Sequence, residues 1–202
     1  MSETKLAEKQ QRNNRRQQSE RTRKKLLEVS LRLFVHKGYA GTTVRDIATE
    51  TGVSPGLMFH YFPSKQAILE EHVRIVESGV ESVVNLLASG EKPLETVARI
   101  AEMILTSFSD VSSRYLFLLA SQILSLESIP AEVRQKVSAS KSIQASVPLI
   151  MLGQQRGEIR QGDPMALAVA FWGALQGIAE VLVWNPEAPI PEAECLVRIL
   201  AA

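Results

Sequence analysis

The stretch that decides the fold is TTVRDIATETGVSPGLMFHYFPSK, at residues 42–65. Its spacing predicts two short helices joined by a tight turn. Thr43, followed three residues later by Asp46, forms a capping-box pattern, so the first helix should begin near Val44. Gly52 suits the left-handed position at the end of this helix, which places the turn directly after it.

The second helix should begin at once, because Ser54 can act as its N-cap and Pro55 fits its first position. Met58 and Phe62 lie four residues apart and predict its inner face. The outer face, which includes two aromatic side chains and no charge, is formed by Pro55, Gly56, Leu57, Phe59, His60 and Tyr61. Such a face needs a surface to lie against, and the major groove of DNA accepts a helix of this size.

The charge of the chain is divided unevenly between its front and its rear. Residues 1–65 carry 13 Lys and Arg against 6 Asp and Glu, a net charge of +7. Residues 66–202 carry 10 against 16, a net charge of −6. A basic front suggests a polyanionic partner for that part alone, and the plain alternative is a basic tail without a partner.

The start of the chain is polar and low in complexity, so we expect a basic arm over residues 1–20 that is disordered or a frayed helical extension. The cations in and just after this arm could reach phosphates or enter a minor groove, or could simply keep the chain soluble. They are Arg12, Arg15, Arg16, Arg21, Arg23, Lys24 and Lys25.

Helical periodicity precedes and follows the quoted stretch. The segment from residue 21 onward has an apolar face, and Gly38 is its expected end. A second long helix is predicted from Lys65 to about Ala88, and its length of about 36 Å could bridge two domains. Lys65 is unusual in a first turn, because a cation there opposes the helix macrodipole unless a phosphate is bound. We therefore expect it to contact the DNA backbone, although many surface lysines are neutral in effect.

Further helices are predicted beyond residue 90, separated by Gly, Pro, Ser and Asp. They cover residues 94–108, 114–126, 130–155, 165–184 and 192–200. Pro148 should kink or break the helix in which it lies. The helix at 165–184 is the most apolar, but Gln176 and Glu180 interrupt it, so it fits a buried helix better than a membrane span. No alternation typical of strands appears. The sequence predicts an all-α chain, with a helix-turn-helix domain at residues 21–65 and a helical domain at residues 66–202.

Residue usage argues against several other classes of protein. Cys195 is the only cysteine, which excludes a disulfide framework and a thiolate metal site within one chain. Residues 1–25 are polar and contain no secretory signal, so we expect a cytoplasmic protein without a membrane partner. The chain lacks HExxH, a P-loop, GxGxxG and GxSxG, so we expect no enzymatic activity, no cofactor and no metal.

The helix pair and its flanks resemble the DNA-binding signature of the tetracycline-repressor (TetR) family. The residues that carry the resemblance are Gly38, Tyr39, Thr42, Thr43, Ile47, Ala48, Gly52, Val53, Ser54, Gly56, Phe59, Tyr61, Phe62 and Lys65. The match covers roughly residues 21–69, and beyond residue 90 only the architecture is similar. The resemblance implies an all-helical homodimeric regulator, with a three-helix DNA-binding domain in front and a ligand-responsive helical domain behind.

The resemblance also implies roles for individual residues at DNA. Thr43 and Arg45 would touch the backbone or a base edge, and the start of the second helix would enter the groove. Tyr61 and Lys65 would bind phosphate. The predicted DNA-binding residues are Thr43, Arg45, Ser54, Pro55, Gly56, Leu57, Phe59, His60, Tyr61 and Lys65.

Three residues of the second helix depart from the family pattern. Phe59 stands where tyrosine is usual and lacks a hydroxyl donor, and Pro55 lacks a side-chain donor as well. Leu57 stands where a small polar residue is common, which leaves apolar contact, for instance with a thymine methyl. Hydrogen-bond readout from this helix should therefore be thin. Arg45, His60, the N-terminal arm or DNA shape should supply more of the specificity.

The rear of the chain is expected to hold a dimer interface and an effector pocket. Small residues at 165–184 let helices approach closely, which with the last helix suggests a self-complementary four-helix interface; the alternative is a core helix within one subunit. The predicted interface residues are Phe171, Gly173, Ala174, Gly177, Val181, Leu196, Ile199 and Leu200. Plentiful apolar lining favours a mainly hydrophobic small molecule. The pocket candidates are Arg99, Met103, Phe108, Tyr115, Gln122, Trp172, Gln176 and Glu180.

Together these features predict a homodimeric transcriptional repressor, which binds a palindromic double-stranded DNA operator and is released by a small-molecule effector. A helical protein-interaction adaptor is the alternative from another class. Salt separates the two, because affinity for duplex DNA falls steeply as salt rises when several phosphates are neutralised. A TetR-like activator and a ligand-independent regulator also fit the sequence.

Overall fold

The structure, a computed structural model, describes residues 2–125, 127, 129–136 and 139–202. Within these ranges the chain forms ten helices: α1 (Ser2–Gly41), α2 (Val44–Thr51), α3 (Pro55–Tyr61), α4 (Lys65–Ser89), α5 (Pro93–Ser107), α6 (Val111–Ser125), α7 (Ala131–Lys136), α8 (Ala139–Gln155), α9 (Pro164–Trp184) and α10 (Ala193–Val197). An isolated antiparallel bridge joins Ile159 to Ala201. The predicted all-α class is confirmed, with a helix-turn-helix in front and a helical rear.

The chain divides into two compact units, Met1–Leu69 and Glu70–Ala202. The first unit packs the helix pair against α1 and the first turn of α4. Its core is apolar and consists of Leu26, Leu31, Leu33, Phe34, Ile47, Ala48, Met58, Phe62, Ile68 and Leu69. Burial of these side chains is what fixes α3, a helix too short to be stable alone in water.

The predicted end of the first helix at Gly38 is confirmed. Gly38 has φ 74° and ψ 161°, a backbone conformation that L side chains rarely adopt, and it interrupts α1 near its C-terminal end. The buried hydroxyl of Thr42 then donates to the carbonyl oxygens of Leu33 at 3.1 Å and of Gly38 at 2.9 Å. These bonds hold the chain that leads into α2.

The second unit contains the apolar faces of α5, α6, α8 and α9, which pack on one another. One charged side chain is buried among them. Arg114 of α6 donates to the carbonyl oxygens of Phe108 and, at 3.1 Å, of Leu182 in α9. A buried cation requires such partners, and here they connect the end of α5 to α9 through α6. The sequence analysis did not single out Arg114, because its acceptors are backbone groups, one of them 68 residues away.

Several helix bounds differ from the sequence expectations. The region expected as one helix at 130–155 is described as α7 and α8, and residues 137 and 138 between them lie outside the described residues. Pro148 lies inside α8 without ending it. The expected end of the preceding helix at residue 126 also lies outside the described residues. At the start of the chain α1 extends back to Ser2. Of the two states expected for the N-terminal arm, disorder or a helical extension, the structure has the helical one.

Candidate nucleic-acid interface

The capping box at the start of α2 is present as predicted. The hydroxyl of Thr43 accepts from the backbone N–H of Asp46 at 3.1 Å, and the Asp46 carboxylate accepts from the Thr43 N–H at 2.8 Å. The hydroxyl also donates to that carboxylate, at 2.6 Å. These bonds, with the nearby charge of Lys37, lower the pKa of Asp46. The start of α2 is therefore fixed at neutral pH, when Asp46 is ionised.

The turn between the two helices is closed by backbone geometry. Gly52 is left-handed, with φ 75° and ψ 27°, and its N–H donates to the carbonyl oxygens of Ala48 and Thr49. Two residues later Ser54 is extended, and its side-chain oxygen accepts from the N–H of Leu57 at 3.1 Å. With Pro55 at its first position, α3 begins without a spacer, as the sequence predicts.

The two faces of α3 differ as predicted. Met58 and Phe62 are 0% and 4% exposed and pack into the core of the first unit. Leu57 and Phe59 are 43% and 48% exposed, although both are large and apolar. Pro55, Gly56 and His60 are exposed as well, and Tyr61 is half-buried with its ring edge-on to His60. α3 therefore presents an uncharged, partly aromatic surface outward.

Two polar candidates lie at the start of α2, beside this surface. Thr43 is exposed, but its hydroxyl is already committed to Asp46. Arg45 is exposed and makes no ion pair within the part of the chain that the structure describes. Of these two, Arg45 has the side chain that is available for a DNA contact.

Lys65 makes contacts within its own unit that the sequence analysis missed. Its Nζ donates to the carbonyl oxygens of Tyr39 at 2.7 Å and of Thr42 at 2.8 Å, and lies 4.2 Å from the centre of the Tyr39 ring. Partial burial lowers the pKa of Lys65, while the carbonyl acceptors favour its charged form. Two of the three ammonium donors are thus used to hold the α1–α2 connection to the start of α4. The break at Gly38 was the available signal, since carbonyls at a helix end attract a cation.

Other cations of the front also bind within the first unit. Lys25 Nζ donates to the carbonyl oxygen of Thr51 at 2.8 Å, at the end of α2. The Arg23 guanidinium lies 5.2 Å from the centre of the Phe62 ring, at the end of α3. These contacts use part of the positive charge of the front to fasten α1 to the helix pair.

The pocket candidates of the second unit differ in burial. Phe108 and Tyr115 are buried, Gln122, Trp172 and Gln176 are half-buried, and Arg99, Met103 and Glu180 are exposed. Two half-buried members join helices: Trp172 Nε1 donates to Ser146 Oγ at 3.0 Å, and Gln176 Nε2 donates to Ser121 Oγ at 2.9 Å. A cavity of about 440 Å³ lies elsewhere, between the end of α4 and α8. Its lining is apolar and includes Val84, Leu87, Ala88, Ala145, Pro148, Leu149 and Leu152.

The predicted interface residues divide between the two sides of α9 and the end of the chain. Phe171, Leu196 and Leu200 are buried, Ala174 and Ile199 are half-buried, and Gly173, Gly177 and Val181 are exposed. By length and composition α9 is apolar enough to cross a membrane, since its most apolar window has a mean hydropathy of 1.8. A core helix can meet the same criterion, and 33% of this window is buried within the chain. Exposed small and apolar residues lie along one side of α9, at Val169, Ala170, Gly173, Gly177, Val181 and Trp184, and the exposed Glu180 lies among them.

A capped two-helix motif on a three-helix unit, with an uncharged outer face on its second helix, defines a helix-turn-helix domain. Residues 26–72 match the family described as bacterial regulatory proteins, tetR family. The first unit of this chain therefore resembles the regulatory proteins of the tetR family, while most of the second unit lies outside the match.

Single proteins that are similar to this chain are also described as HTH-type transcriptional regulators. The chain is 30% identical over 94 residues to the HTH-type transcriptional repressor KstR2 of Rhodococcus jostii, over 46% of this chain and 45% of that protein. The curated relatives are matched over less than half of their own length. Two solved structures share the fold. The MbdR regulator from Azoarcus sp. CIB is 21% identical with a TM-score of 0.73, and the match covers 88% of this chain and 96% of that one. AibR in complex with isovaleryl coenzyme A and operator DNA is 18% identical with a TM-score of 0.64, and the match covers 88% of this chain and 94% of that one.

Proposed function

We propose that this regulator is a homodimeric repressor, which binds a palindromic double-stranded DNA operator through α2 and α3 and is released by a small, mainly hydrophobic effector. The exposed, uncharged outer face of α3 is the observation that carries the proposal. Leu57 and Phe59 leave close to half of their surface in water on a seven-residue helix. A groove that accepts a helix would cover this face.

Readout at the operator is proposed to combine apolar contact with a small number of charged contacts. Leu57 and Phe59 would fill the groove, where a thymine methyl is the natural apolar neighbour. Arg45 and His60 would supply hydrogen bonds to base edges, and Tyr61 would bind phosphate. Lys65 would share its remaining donor with a phosphate while its other two hold the Tyr39 and Thr42 carbonyls.

Two half-sites require two copies of the chain, and α9 supplies a surface for pairing. Its exposed stripe of small and apolar residues faces away from the side that packs on α6 and α8, where Trp172 and Gln176 make their hydrogen bonds. The same stripe on a second copy would cover it with an apolar partner of matching shape. Pairing would also place two α3 helices at a fixed separation, as a palindrome demands.

The effector is proposed to bind inside the second unit. The apolar cavity beside α8 has a volume typical of small-molecule sites. The AibR structure holds isovaleryl coenzyme A and operator DNA, which supports the pairing of both ligand types with this fold. An effector that favours a state unable to bind DNA would release the operator, and about 5.5 kcal/mol of differential affinity suffices for a near-complete switch.

Selection of bound duplexes from a random pool tests the proposal. A palindrome with fixed half-site spacing is the expected product, and it gives the operator at the same time. No enrichment of any sequence would reject operator binding and favour the protein-interaction adaptor. A reporter gene placed behind the enriched operator then separates repression from activation.

The role of Arg45 needs its own comparison. Arg45→Ala should weaken binding to the operator by about 1–3 kcal/mol and leave binding to random duplex almost unchanged, if Arg45 reads a base edge. Equal weakening on both duplexes would instead assign Arg45 to phosphate. Arg160→Ala, which removes an exposed arginine from the second unit, is the matched control.

A further inference from the structure

The N-terminal part of α1 is a helix without a core beneath it. Every residue from 9 to 18 is exposed, and the first buried apolar side chain of α1 among the described ones is Leu26. From Lys9 to Leu26 the helix advances about 26 Å. A helix that is polar on all sides usually bridges to something or is stabilised by side-chain pairs, so its charge pattern matters.

The cations of this segment form a stripe. Lys9, Arg12, Arg16 and Arg23 follow one another at intervals of three, four and seven residues, which places them on one side of the helix. The opposite side of this segment carries the amides Asn14 and Gln18. We call the residues Lys9, Arg12, Arg16 and Arg23 the basic stripe.

The basic stripe lies on the side of α1 that, farther along the helix, faces the packed core of the first unit. Five turns of an α-helix take 18 residues, so Arg12 stands directly in line with Ser30, and Arg16 with Phe34. Ser30 and Phe34 are 0% and 1% exposed, within the packed part of the first unit. At the near end of the stripe, Arg23 already lies over the ring of Phe62 at the end of α3.

The basic stripe therefore continues the side of α1 from which Arg23 reaches the end of α3. We propose that the basic stripe binds the phosphate backbone of duplex DNA beside the operator half-site, without reading its sequence. This inference rests on the proposed function, because it takes the duplex to lie against α3. The charges are complementary, since a duplex carries one negative charge per about 1.7 Å of its axis.

The geometry of the segment decides how it binds. An α-helix with side chains is about 10–12 Å across and the minor groove is about 6 Å wide, so a helical arm does not enter that groove. The long cationic side chains reach phosphates from outside it instead. The pair between Arg16 and Glu20 does not prevent this, because both side chains are largely exposed and such pairs contribute little.

The test compares two double variants of the full chain. Arg12→Gln/Arg16→Gln removes two cations of the basic stripe, and Arg21→Gln/Lys24→Gln removes two from the other side of the same helix. Each phosphate contact contributes about 0.9 to the slope of log affinity against log salt, so the stripe variant should lose about 1.8 of slope. Between 50 and 200 mM salt the affinity of the unmodified protein should then fall about 12-fold more than that of the stripe variant.

The measurement uses both the selected operator and a random-sequence duplex of equal length, because the proposed contact is independent of sequence. The stripe variant should lose slope on both duplexes and keep its preference for the operator, while the control variant keeps its slope. Arg12→Lys/Arg16→Lys should restore the slope, and circular dichroism checks that the helix persists.

Equal loss of slope in the two double variants would show that any cation of this helix contributes equally, whichever side it occupies, and would overturn the proposal. An unchanged slope in the stripe variant would overturn it as well, since the arm would then be a solvated face. Neither result touches operator binding. Failure of the random pool to enrich a sequence would reject the proposed function instead, so the two failures are distinguishable.

Discussion

Replacement of Lys65 by methionine tests whether this side chain holds the helix pair in place. Lys65→Met keeps most of the aliphatic length and removes the ammonium group. The Tyr39 and Thr42 carbonyl oxygens then lose donors at 2.7 and 2.8 Å, and the Tyr39 ring loses its cation. Thr42 is fully buried, so water replaces the lost donor poorly.

The expected cost follows from these contacts. Hydrogen bonds from a charged donor contribute about 1.5–3 kcal/mol each, and Lys65 is only half-buried, so we expect a combined loss of about 2–4 kcal/mol in the stability of the first unit. The loss should be confined to that unit. Lys92→Met is the matched control, because Lys92 pairs with Glu95 where both side chains are about two-thirds exposed, and it should leave stability almost unchanged.

Two probes report the units separately. The protein has two tryptophans, Trp172 and Trp184, and both belong to the second unit. Denaturant unfolding followed by their fluorescence should therefore change little in Lys65→Met. Hydrogen exchange of the amides between Gly38 and Asp46 should accelerate about 30-fold or more, which corresponds to 2 kcal/mol or more of lost protection. Unchanged exchange in this segment would refute the idea that Lys65 fastens the α1–α2 connection.

DNA binding distinguishes fastening from phosphate contact. A positioning lysine should weaken operator binding without a change in salt slope, whereas a lost phosphate contact should lower the slope by about 0.9. A lower slope with normal hydrogen exchange would assign Lys65 to the phosphate alone. A change in both would assign it both roles, as its third donor permits.

Three further predictions concern the caps, the interface and a buried histidine. Ser54→Ala removes the 3.1 Å bond to the Leu57 N–H and should cost about 1 kcal/mol of stability in the first unit, measured by hydrogen exchange of α3; no change would show that Pro55 alone starts the helix. Gly177→Leu should give monomers in sedimentation, while Gly79→Leu, at another exposed helical glycine with open space around it, should leave the assembly unchanged; dimers in both variants would move the interface away from α9. Burial lowers the pKa of His72 from 6.5 to about 4, so the folded protein binds fewer protons than the unfolded chain between these values. The free energy of unfolding should therefore fall by up to about 3 kcal/mol as the pH drops from 6.5 to 4. His72→Gln should lack this part of the fall when urea unfolding is followed by tryptophan fluorescence. Identical pH profiles in the two proteins would contradict the burial of a neutral imidazole.

Local chemistry explains which parts of the site were predictable. The box formed by Thr43 and Asp46, the left-handed Gly52 and the Ser54 cap each depend on residues within three or four positions, so the sequence predicts α2, the turn and α3 closely. The inner and outer faces of α3 follow from the helical period. The separation of exposed Phe59 from buried Met58 needs no information from the rest of the chain.

The contacts that were missed join residues far apart in the chain. Lys65 binds carbonyl oxygens 23 and 26 residues earlier, and Arg114 binds one 68 residues later. Every residue has a backbone carbonyl oxygen, so the sequence of side chains does not indicate which carbonyl will accept such a hydrogen bond. Two pocket candidates have a structural role that the side-chain pattern does not reveal. Polarity on an apolar face also arises when helices are joined by hydrogen bonds, as Trp172 and Gln176 are to Ser146 and Ser121.

If two copies pair through α9 as proposed, the glycines on its exposed stripe would make the stability of the protein depend on its concentration. Gly173 and Gly177 each cost about 1 kcal/mol relative to alanine within a helix, and neither has an atom within 4 Å of an added Cβ in the single chain. A second copy packed against α9 would offset that cost, and it binds only the folded form. The melting temperature should then rise with protein concentration, and dilution alone should loosen the second unit before any effector is added.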